Sequence, residues 1–276
     1  MVDEKPKADI DSLREMLRRI EKKGSRDLPG RPPPVKLEDA VGGGRVTESG
    51  RGPFYLVEEQ AEAYLSDEDE FATVTQLFFQ RSQVNQAHLE SVAPALLPLA
   101  QIDSDRILFL DIETAGFHGM GLFLIGLLLY EAGKFRLVQL FARDYAEEAA
   151  VLDYLRRFYE EAEVVVTFNG KAFDLPFISD RCKIHRVQLV RPPLDIDLLH
   201  AARRIWKDYL PNCRLVTLEQ LICGRHRTGD LPSHLVPKAY HEFVETGDAR
   251  LMGDVIRHNA YDLVTMAHLL AKIANG

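Results

Sequence analysis

The chain has 276 residues, of which 46% are hydrophobic and 28% are charged, so it can bury a full globular core. Its formal net charge of −8 argues against a protein that coats nucleic acid through a dense array of Lys and Arg. The longest apolar run, residues 122–130, is far shorter than the roughly 20 residues of a membrane-spanning helix. No charged-then-apolar leader opens the chain, and its three cysteines lack metal-ligand spacing. We therefore expect a soluble protein of the reducing cytoplasm, with no membrane partner.

The first hundred residues divide into three segments by composition. Residues 1–24 predict an amphipathic helix, whose apolar face could bind a protein partner or pack on the protein itself. Residues 25–53 are rich in Gly and Pro and predict a flexible linker. Residues 54–100 regain apolar content, with a strand at FYLV and a Pro-interrupted helix near residues 92–99, and are expected to pack on the main domain as an accessory segment.

From residue 101 to residue 276, apolar runs alternate with helical patterns as in an α/β domain. Strands are predicted at residues 106–111, 122–130, 135–141, 163–168 and 194–196. The second and third strands are joined by a tight turn at Gly133 and Lys134 and must be antiparallel, whereas strands separated by helices favour parallel pairing. The result is a mixed five-stranded sheet with strand 2 antiparallel, flanked by helices. Asp197 precedes an apolar-periodic segment and is expected to cap that helix.

Four carboxylates stand where they can reach one shared site. Asp111 and Glu113 follow the apolar run ILFL and have the two-residue spacing that puts side chains on one face of a strand. Asp174 lies in the turn and helix start after VVVTF, and Asp262 lies in the final helical segment. Such a cluster is costly to bury unless a cation neutralises it, and an all-oxygen set suits Mg²⁺ or Mn²⁺.

The order D-x-E after the first strand, Asp after the fourth strand and Asp on the last helix resembles the ribonuclease-H-like DEDD 3′–5′ exonuclease superfamily, the DnaQ-like enzymes. The details are similar to the YprB-like branch of predicted exonucleases. This likeness is carried by LDIETAGF, FLIG, VVTFNGKAFDLPF, DLLHAARRIWKDYLPNCRLVTLEQLICG and RHNAYDLVTMAHLL. It covers about residues 43–273 and implies a ribonuclease-H-like exonuclease domain over residues 101–276.

The resemblance implies that Asp111, Glu113, Asp174 and Asp262 bind two Mg²⁺ or Mn²⁺ ions. In such sites the ions are about 3.5–4 Å apart, one activating the attacking water and the other stabilising the leaving 3′ oxygen. Asp111 would bridge the ions, Glu113 and Asp262 would complete the shell of one ion, and Asp174 would reach the other through water. His258 would take the fifth catalytic place, next to the attacking water.

His258 departs from the family pattern. A Tyr four residues before the last Asp, or a His five residues before it, is usual, whereas here a His stands four residues before Asp262. Two neighbours are alternatives. Tyr261 is adjacent in sequence but about 100° around the helix from Asp262, and Asp254 continues the stripe of His258 and Asp262. The motif context favours His258 as the residue that accepts or orients the water's proton, with a structural histidine as the alternative.

Residues beside the carboxylates are predicted to contact the substrate. The backbone of Thr114 and Gly116 is expected to approach the terminal nucleotide. Phe117, Asn169 and Phe173 are expected to stack on or wedge against the last bases, with core packing as the alternative for Phe173.

A basic stretch between His200 and Lys238 is a second candidate for substrate contact. It has seven basic residues against three acidic ones: Arg203, Arg204, Lys207, Arg214, Arg225, Arg227 and Lys238 against Asp208, Glu219 and Asp230. Arg203 and Arg204 are the predicted phosphate ligands in it, and a solvated face is the alternative for the whole stretch.

These features together predict a metal-dependent 3′–5′ exonuclease that acts on a single-stranded or frayed 3′ end of nucleic acid. A non-catalytic nucleic-acid-binding or interaction module on the same fold is the main alternative, although such a module has no reason to keep four costly acids together. An endonuclease on the same scaffold is the third possibility. The residue pattern does not distinguish DNA from RNA.

Overall fold

The computed structural model describes residues 33–64, 86–116 and 120–275. Val35–Gly276 is one compact unit. The helix predicted over residues 1–24 lies outside the described residues, and so does Phe117.

A seven-stranded mixed sheet forms the centre of the fold. Its strands are β1 (Gly44–Ser49), β2 (Gly52–Gln60), β3 (Ile107–Thr114), β4 (Leu122–Glu131), β5 (Lys134–Phe141), β6 (Val164–Thr167) and β7 (Leu194–Asp197). They lie in the order β1-β2-β5-β4-β3-β6-β7. β3 pairs antiparallel with β4 and parallel with β6, so it lies where the antiparallel part of the sheet meets the parallel part.

Helices cover both faces of this sheet. The α-helices of the described ranges are α1 (Leu37–Ala40), α2 (Gln86–Val92), α3 (Glu148–Glu161), α4 (Asp174–His185), α5 (Leu198–Trp206), α6 (Leu215–Leu221), α7 (Val236–Thr246) and α8 (Met252–Asn275). Short 3₁₀ helices occur at Ala61–Tyr64, Pro94–Ala100, Ser104–Arg106, Tyr145–Glu147 and Ser233–Leu235. Among the described residues, no helix has the length and apolar character needed to cross a membrane.

Two hydrophobic cores lie on opposite faces of the sheet, and β3 contributes to both. Leu108 and Leu110 belong to the core that also contains residues of α3, α4 and α7. Ile107 and Phe109 belong to the core that contains residues of α5, α6 and most of α8. Because side chains alternate along a strand, the next odd-numbered residues of β3 point toward the α8 side.

The strand count differs from the sequence-based prediction because the first two strands form a hairpin that extends the sheet. β1 falls within residues 25–53, so the linker prediction is wrong for residues 44–49. β2 pairs antiparallel with β5, which makes it a strand of the main sheet rather than an accessory element. The Gly- and Pro-rich composition concealed β1 because its backbone hydrogen bonds come from pairing with β2, not from local propensity.

Candidate active site

Strand β3 carries the first two carboxylates of the site toward α8. Asp111 accepts a hydrogen bond through Oδ2 from Nδ2 of Asn259, at 2.8 Å. Glu113 lies two residues further on the same face of the strand, and the charge of His258 on α8 acts on its carboxylate. Asp111 on β3 is therefore in hydrogen-bonding contact with the last helix.

A buried network of two side-chain amides holds Asp111 in place. Asn259 is fully buried, and its Oδ1 accepts from Nε2 of Gln139, at 2.9 Å. Gly126 lies between Asp111 and Gln139 in the sheet register. A Cβ atom on Gly126 would stand 1.9 Å from Oδ1 of Asn259, so the close approach of helix and sheet requires glycine there.

Asp174 is the first residue of α4, and the turn before α4 brings it to the end of β3. Its Oδ1 accepts from the backbone N–H of Ile112, at 3.2 Å. The turn is held by Asp197, whose Oδ1 accepts from the N–H of Asn169 at 2.8 Å and whose Oδ2 accepts from the N–H of Lys171 at 3.2 Å. Asp197 also accepts from Leu199 N–H, which confirms its predicted helix-capping role.

Burial and the repulsion between neighbouring acids raise the pKa values of the carboxylates of β3 and α4. Burial, followed by the charges of Asp262, Asp174 and Glu113, raises the pKa of Asp111 well above its ordinary value. Burial, only partly offset by the charge of His258, raises the pKa of Glu113 to about 8. Burial also raises the pKa of Asp174 to about 7.

The carboxylate oxygens of these acids are the kind of ligand that a hard divalent cation prefers. Within the described ranges, no Lys or Arg forms a salt bridge with Asp111, Glu113 or Asp174, and only the charge of His258 partly offsets the burial of Glu113. Carboxylate oxygens in this number are ligands suited to Mg²⁺ or Mn²⁺. The same part of the chain contains no group of three or more His, Cys, Asp or Glu side chains already arranged around one ion position.

Asp262 is in a different electrostatic environment, because an arginine holds it. Nη2 of Arg227 lies 2.5 Å from Oδ1 of Asp262. The same guanidinium binds Oε2 of Glu219 at 2.6 Å and Oδ2 of Asp230 at 3.2 Å. Oδ2 of Asp262 lies 3.7 Å from Nε2 of His258.

His258 is buried and lies one helical turn from Asp262. Its Nδ1 lies 2.9 and 3.0 Å from the two oxygens of Asp230, and its Nε2 lies 3.2 Å from Oγ of Ser233. Burial alone would lower the pKa of His258, but the hydrogen bond with Asp230 and the charges of Asp262 and Glu113 raise it.

The two alternatives to His258 have other contacts. Tyr261 packs edge-to-face on Tyr64, with ring centroids 5.6 Å apart, and the Arg227 guanidinium carbon lies 5.3 Å from the Tyr261 ring centroid. Asp254 forms a salt bridge with Arg257. The geometry therefore favours His258 over both.

Comparisons with known proteins show which family the chain belongs to. Residues 108–274 match the family model described as RNase_H superfamily, which is more than half of the chain. The chain belongs to the RNase H superfamily. It is also 30% identical over 174 residues to the uncharacterized protein YprB of Bacillus subtilis strain 168, a match that spans 60% of this chain and 41% of that protein. The YprB-like resemblance is thus confirmed. The match spans less than half of the length of YprB.

The solved structures to which the chain is partly similar include that of the family B DNA polymerase from the hyperthermophilic archaeon Pyrobaculum calidifontis. The similarity has a TM-score of 0.49 at 17% identity and covers 59% of this chain and 24% of the polymerase.

Three of the predicted substrate-contacting residues of this RNase H superfamily member lie close in sequence to the carboxylates. Thr114 ends β3, and its Oγ1 donates to the carbonyl of Gly116, at 3.3 Å. Asn169 adopts a left-handed backbone conformation in the turn before Asp174. Phe173 immediately precedes Asp174 and is 41% exposed, so the core-packing alternative for this residue is wrong.

The basic stretch is only partly a surface patch. Arg203 and Arg204 are exposed on α5, and Nη2 of Arg204 donates to the carbonyl of Ser91 at 3.2 Å. The side chains of Arg225 and Arg227, in contrast, are buried against Glu219, so the substrate contact predicted for the stretch is wrong for these two residues. The reason is that acids on α6 and α8 pair with them, which a charge count along the sequence cannot detect.

Sequence reasoning missed the residues that hold the carboxylates in place. They are Gln139, Glu219, Arg227, Asp230 and Asn259. Asn259 had a detectable signal, because it lies three residues before Asp262 on a helix and so faces the same side. Asp230 and Arg227 lie in a segment without helical or strand periodicity, which gave no signal of their contacts.

Proposed function

We propose that this protein is a divalent-metal-dependent 3′–5′ exonuclease that hydrolyses phosphodiester bonds at the 3′ end of nucleic acid. One observation carries the proposal: half-buried Asp111 and Glu113 and buried Asp174 lie close enough to one another and to Asp262 for their charges to interact, and none of the first three forms a salt bridge with Lys or Arg among the described residues. Burying several carboxylates together is costly, so a purely structural site has no reason to keep them. The preference for a 3′ end rests on the resemblance to DEDD exonucleases.

The four acids would hold two Mg²⁺ or Mn²⁺ ions, which would lower the pKa of a bound water and stabilise charge on the leaving 3′ oxygen. His258 then takes the proton of the attacking water, because Nε2 is the ring nitrogen that faces Asp262. Asn259 keeps the Asp111 carboxylate turned toward α8.

The rim of the site offers contacts for the end of a strand. The exposed ring of Phe173 stands next to Asp174, where it stacks on or wedges against the terminal base. The backbone at Thr114 and Gly116 lies just beyond Glu113 and accepts the terminal nucleotide. Arg203 and Arg204 bind phosphates farther along the strand by charge.

The deciding experiment is degradation of 5′-labelled single- and double-stranded DNA and RNA in EDTA, Mg²⁺ or Mn²⁺. We expect a ladder that shortens from free 3′ ends, only with a divalent ion, and persistence of circular and 3′-blocked molecules. Equal cleavage of circular substrates would identify an endonuclease. Binding of these nucleic acids without cleavage under any of the ion conditions would identify a non-catalytic module.

Substitution of His258 tests the proton-transfer role within this proposal. His258→Ala is expected to lower kcat by about 10²–10⁴-fold, the usual contribution of a general base. His258→Tyr, which restores the Tyr-type motif at its own four-residue spacing, is expected to retain part of the activity. Full activity of His258→Ala would assign the water's proton to another acceptor.

A further inference from the structure

The segment between α6 and α7 places a carboxylate directly against the candidate general base. Oδ1 and Oδ2 of Asp230 lie 2.9 and 3.0 Å from Nδ1 of His258. The side chain of His258 is 8% exposed and that of Asp230 is 21% exposed, so the contact is largely shielded from water. Asp230 has no place in the four-carboxylate pattern and lies outside every regular element.

The chemistry of this contact fixes the proton on the imidazole ring. An ionised carboxylate can only accept hydrogen bonds, so Nδ1 of His258 must be the nitrogen that carries the hydrogen. In the neutral ring, Nε2 then keeps its lone pair. Nε2 is also the nitrogen that lies 3.7 Å from Oδ2 of Asp262 and 3.2 Å from Oγ of Ser233.

Arg227 fixes the position of Asp230 itself. Its guanidinium binds Oδ2 of Asp230 at 3.2 Å while binding Glu219 on α6 and Asp262 on α8. The side chain of Arg227 is 6% exposed, so this bridge is largely shielded from water. Asp230 is therefore held between a buried cation and the imidazole, an arrangement that leaves its carboxylate little rotational freedom.

We infer that Asp230 is a positioning residue for His258, which it holds as the Nδ1–H tautomer with Nε2 free to accept a proton at the carboxylate site. The inference rests on the proposed nuclease function and adds a residue to its machinery. It also explains how a histidine only four residues before Asp262 can be oriented for this role. One helical turn from Asp262, the ring is aimed by a carboxylate from another segment rather than by its place on α8 alone.

The first test observes the ring directly and does not require activity. Long-range ¹H–¹⁵N spectra of ¹⁵N-histidine-labelled full chain, recorded at alkaline pH in EDTA, distinguish the two neutral tautomers. The chain has nine histidines, and comparison with His258→Ala assigns the signal. We expect Nδ1–H at His258 in the wild type and a shift toward Nε2–H, the form favoured in water, in Asp230→Ala.

The second test measures turnover on the substrate found by the degradation assay. Asp230→Ala is expected to lower kcat by about 10–100-fold with little change in KM, as removal of a partner that orients a catalytic group usually does. Asp230→Asn retains an oxygen that can accept from Nδ1 and should recover part of kcat. The control is Asp254→Asn, one turn before His258 on the same helix, which removes a 33%-exposed partner of Arg257. It should match the wild type in kcat and tautomer.

The outcomes separate this inference from the proposed function. An active wild type with His258 in the Nε2–H form, or with unchanged kcat in Asp230→Ala, overturns the positioning role only. A wild type without nuclease activity overturns the proposed function and this inference with it. If Asp230→Ala does not fold, which thermal unfolding would show, the tautomer of the wild type and the kcat of Asp230→Asn still decide the question.

Discussion

At the scale of single residues, the negative charges of the site's acids are compensated in two ways. Asp262 and Asp230 share the buried guanidinium of Arg227. Asp111 and Asp174 instead accept hydrogen bonds from an amide and a backbone N–H, which do not cancel a full charge. The first group is a fixed ion-pair network, whereas the second needs protons or a divalent cation.

Asp174→Asn should separate activity from stability. The amide oxygen can still accept from the N–H of Ile112, so the local structure is kept, while one of the mutually repelling charges is lost. We expect activity to fall by several orders of magnitude and the metal-free protein to unfold at a higher temperature at pH 8. Activity assays and thermal unfolding in EDTA check this, and unchanged hydrolysis would contradict the site assignment.

Arg227→Met should be strongly destabilising. It leaves Glu219, which is 1% exposed, without its main charge partner, and breaking a buried pair typically costs about 3–5 kcal/mol. The control is Arg257→Met, which removes the partly exposed pair with Asp254 and should cost about 0–1 kcal/mol. Urea unfolding measures both. Equal free energies of unfolding for the two variants would show that Arg227 does not hold a buried charge.

At the scale of elements, the site depends on how closely α8 approaches the sheet. β4 meets α8 through Gly126, and Asn259 fills the space that a side chain there would take. The hydrogen bond from Asn259 to Asp111 therefore exists only because one strand position has no Cβ.

Gly126→Ala tests this contact. The new methyl group would overlap the buried Asn259 amide, and we expect a loss of about 1–3 kcal/mol of stability together with a fall in kcat, since Asn259 positions Asp111. Gly42→Ala is the matched control, because a Cβ at Gly42 meets nothing within 4 Å. Adding Asn259→Ala to Gly126→Ala should recover stability but not activity. A neutral Gly126→Ala would show that α8 can move away from the sheet without cost.

At the scale of the whole molecule, the acids should make the stability of the metal-free protein depend on pH. The pKa of Glu113 is raised from 4.5 to about 8 and that of Asp174 from 3.8 to about 7. An acid with a raised pKa in the folded state binds its proton more tightly there than in the unfolded chain. Its contribution to the free energy of unfolding is therefore full below about pH 4 and is lost as the pH rises through about 7 to 8.

In EDTA we accordingly expect a lower unfolding temperature at pH 8.5 than at pH 5.5. Mg²⁺ or Mn²⁺ should raise it more at pH 8.5, because the ions compete with protons for the same oxygens. The variant Glu113→Gln with Asp174→Asn should show a flatter pH profile. A metal-free wild type that is more stable at pH 8.5 would contradict the clustering of these acids.

Much of the central sheet was predictable from sequence because most residues of its central strands are buried. β3, β4, β5 and β6 contain short apolar runs, β7 has the shorter sequence LDID, and each was predicted within a few residues of its observed bounds. The position of each carboxylate after a run, at a turn or on a helix was likewise visible. These features are local, since they depend on side-chain periodicity within one segment.

Contacts between distant segments were decided only by the tertiary structure. Hairpin strand β1 depends on pairing with β2, and the burial of Arg227 depends on acids that two different helices supply. Asp230 lies 28 residues from His258, in a segment whose sequence has no periodicity to place it. The sequence by itself thus determined the family, the order of the strands from β2 to β7 and the four acids that are candidates for the site. The tertiary structure decided which groups neutralise and orient those acids, because hydrogen bonds and ion pairs are set by distance in space rather than along the chain.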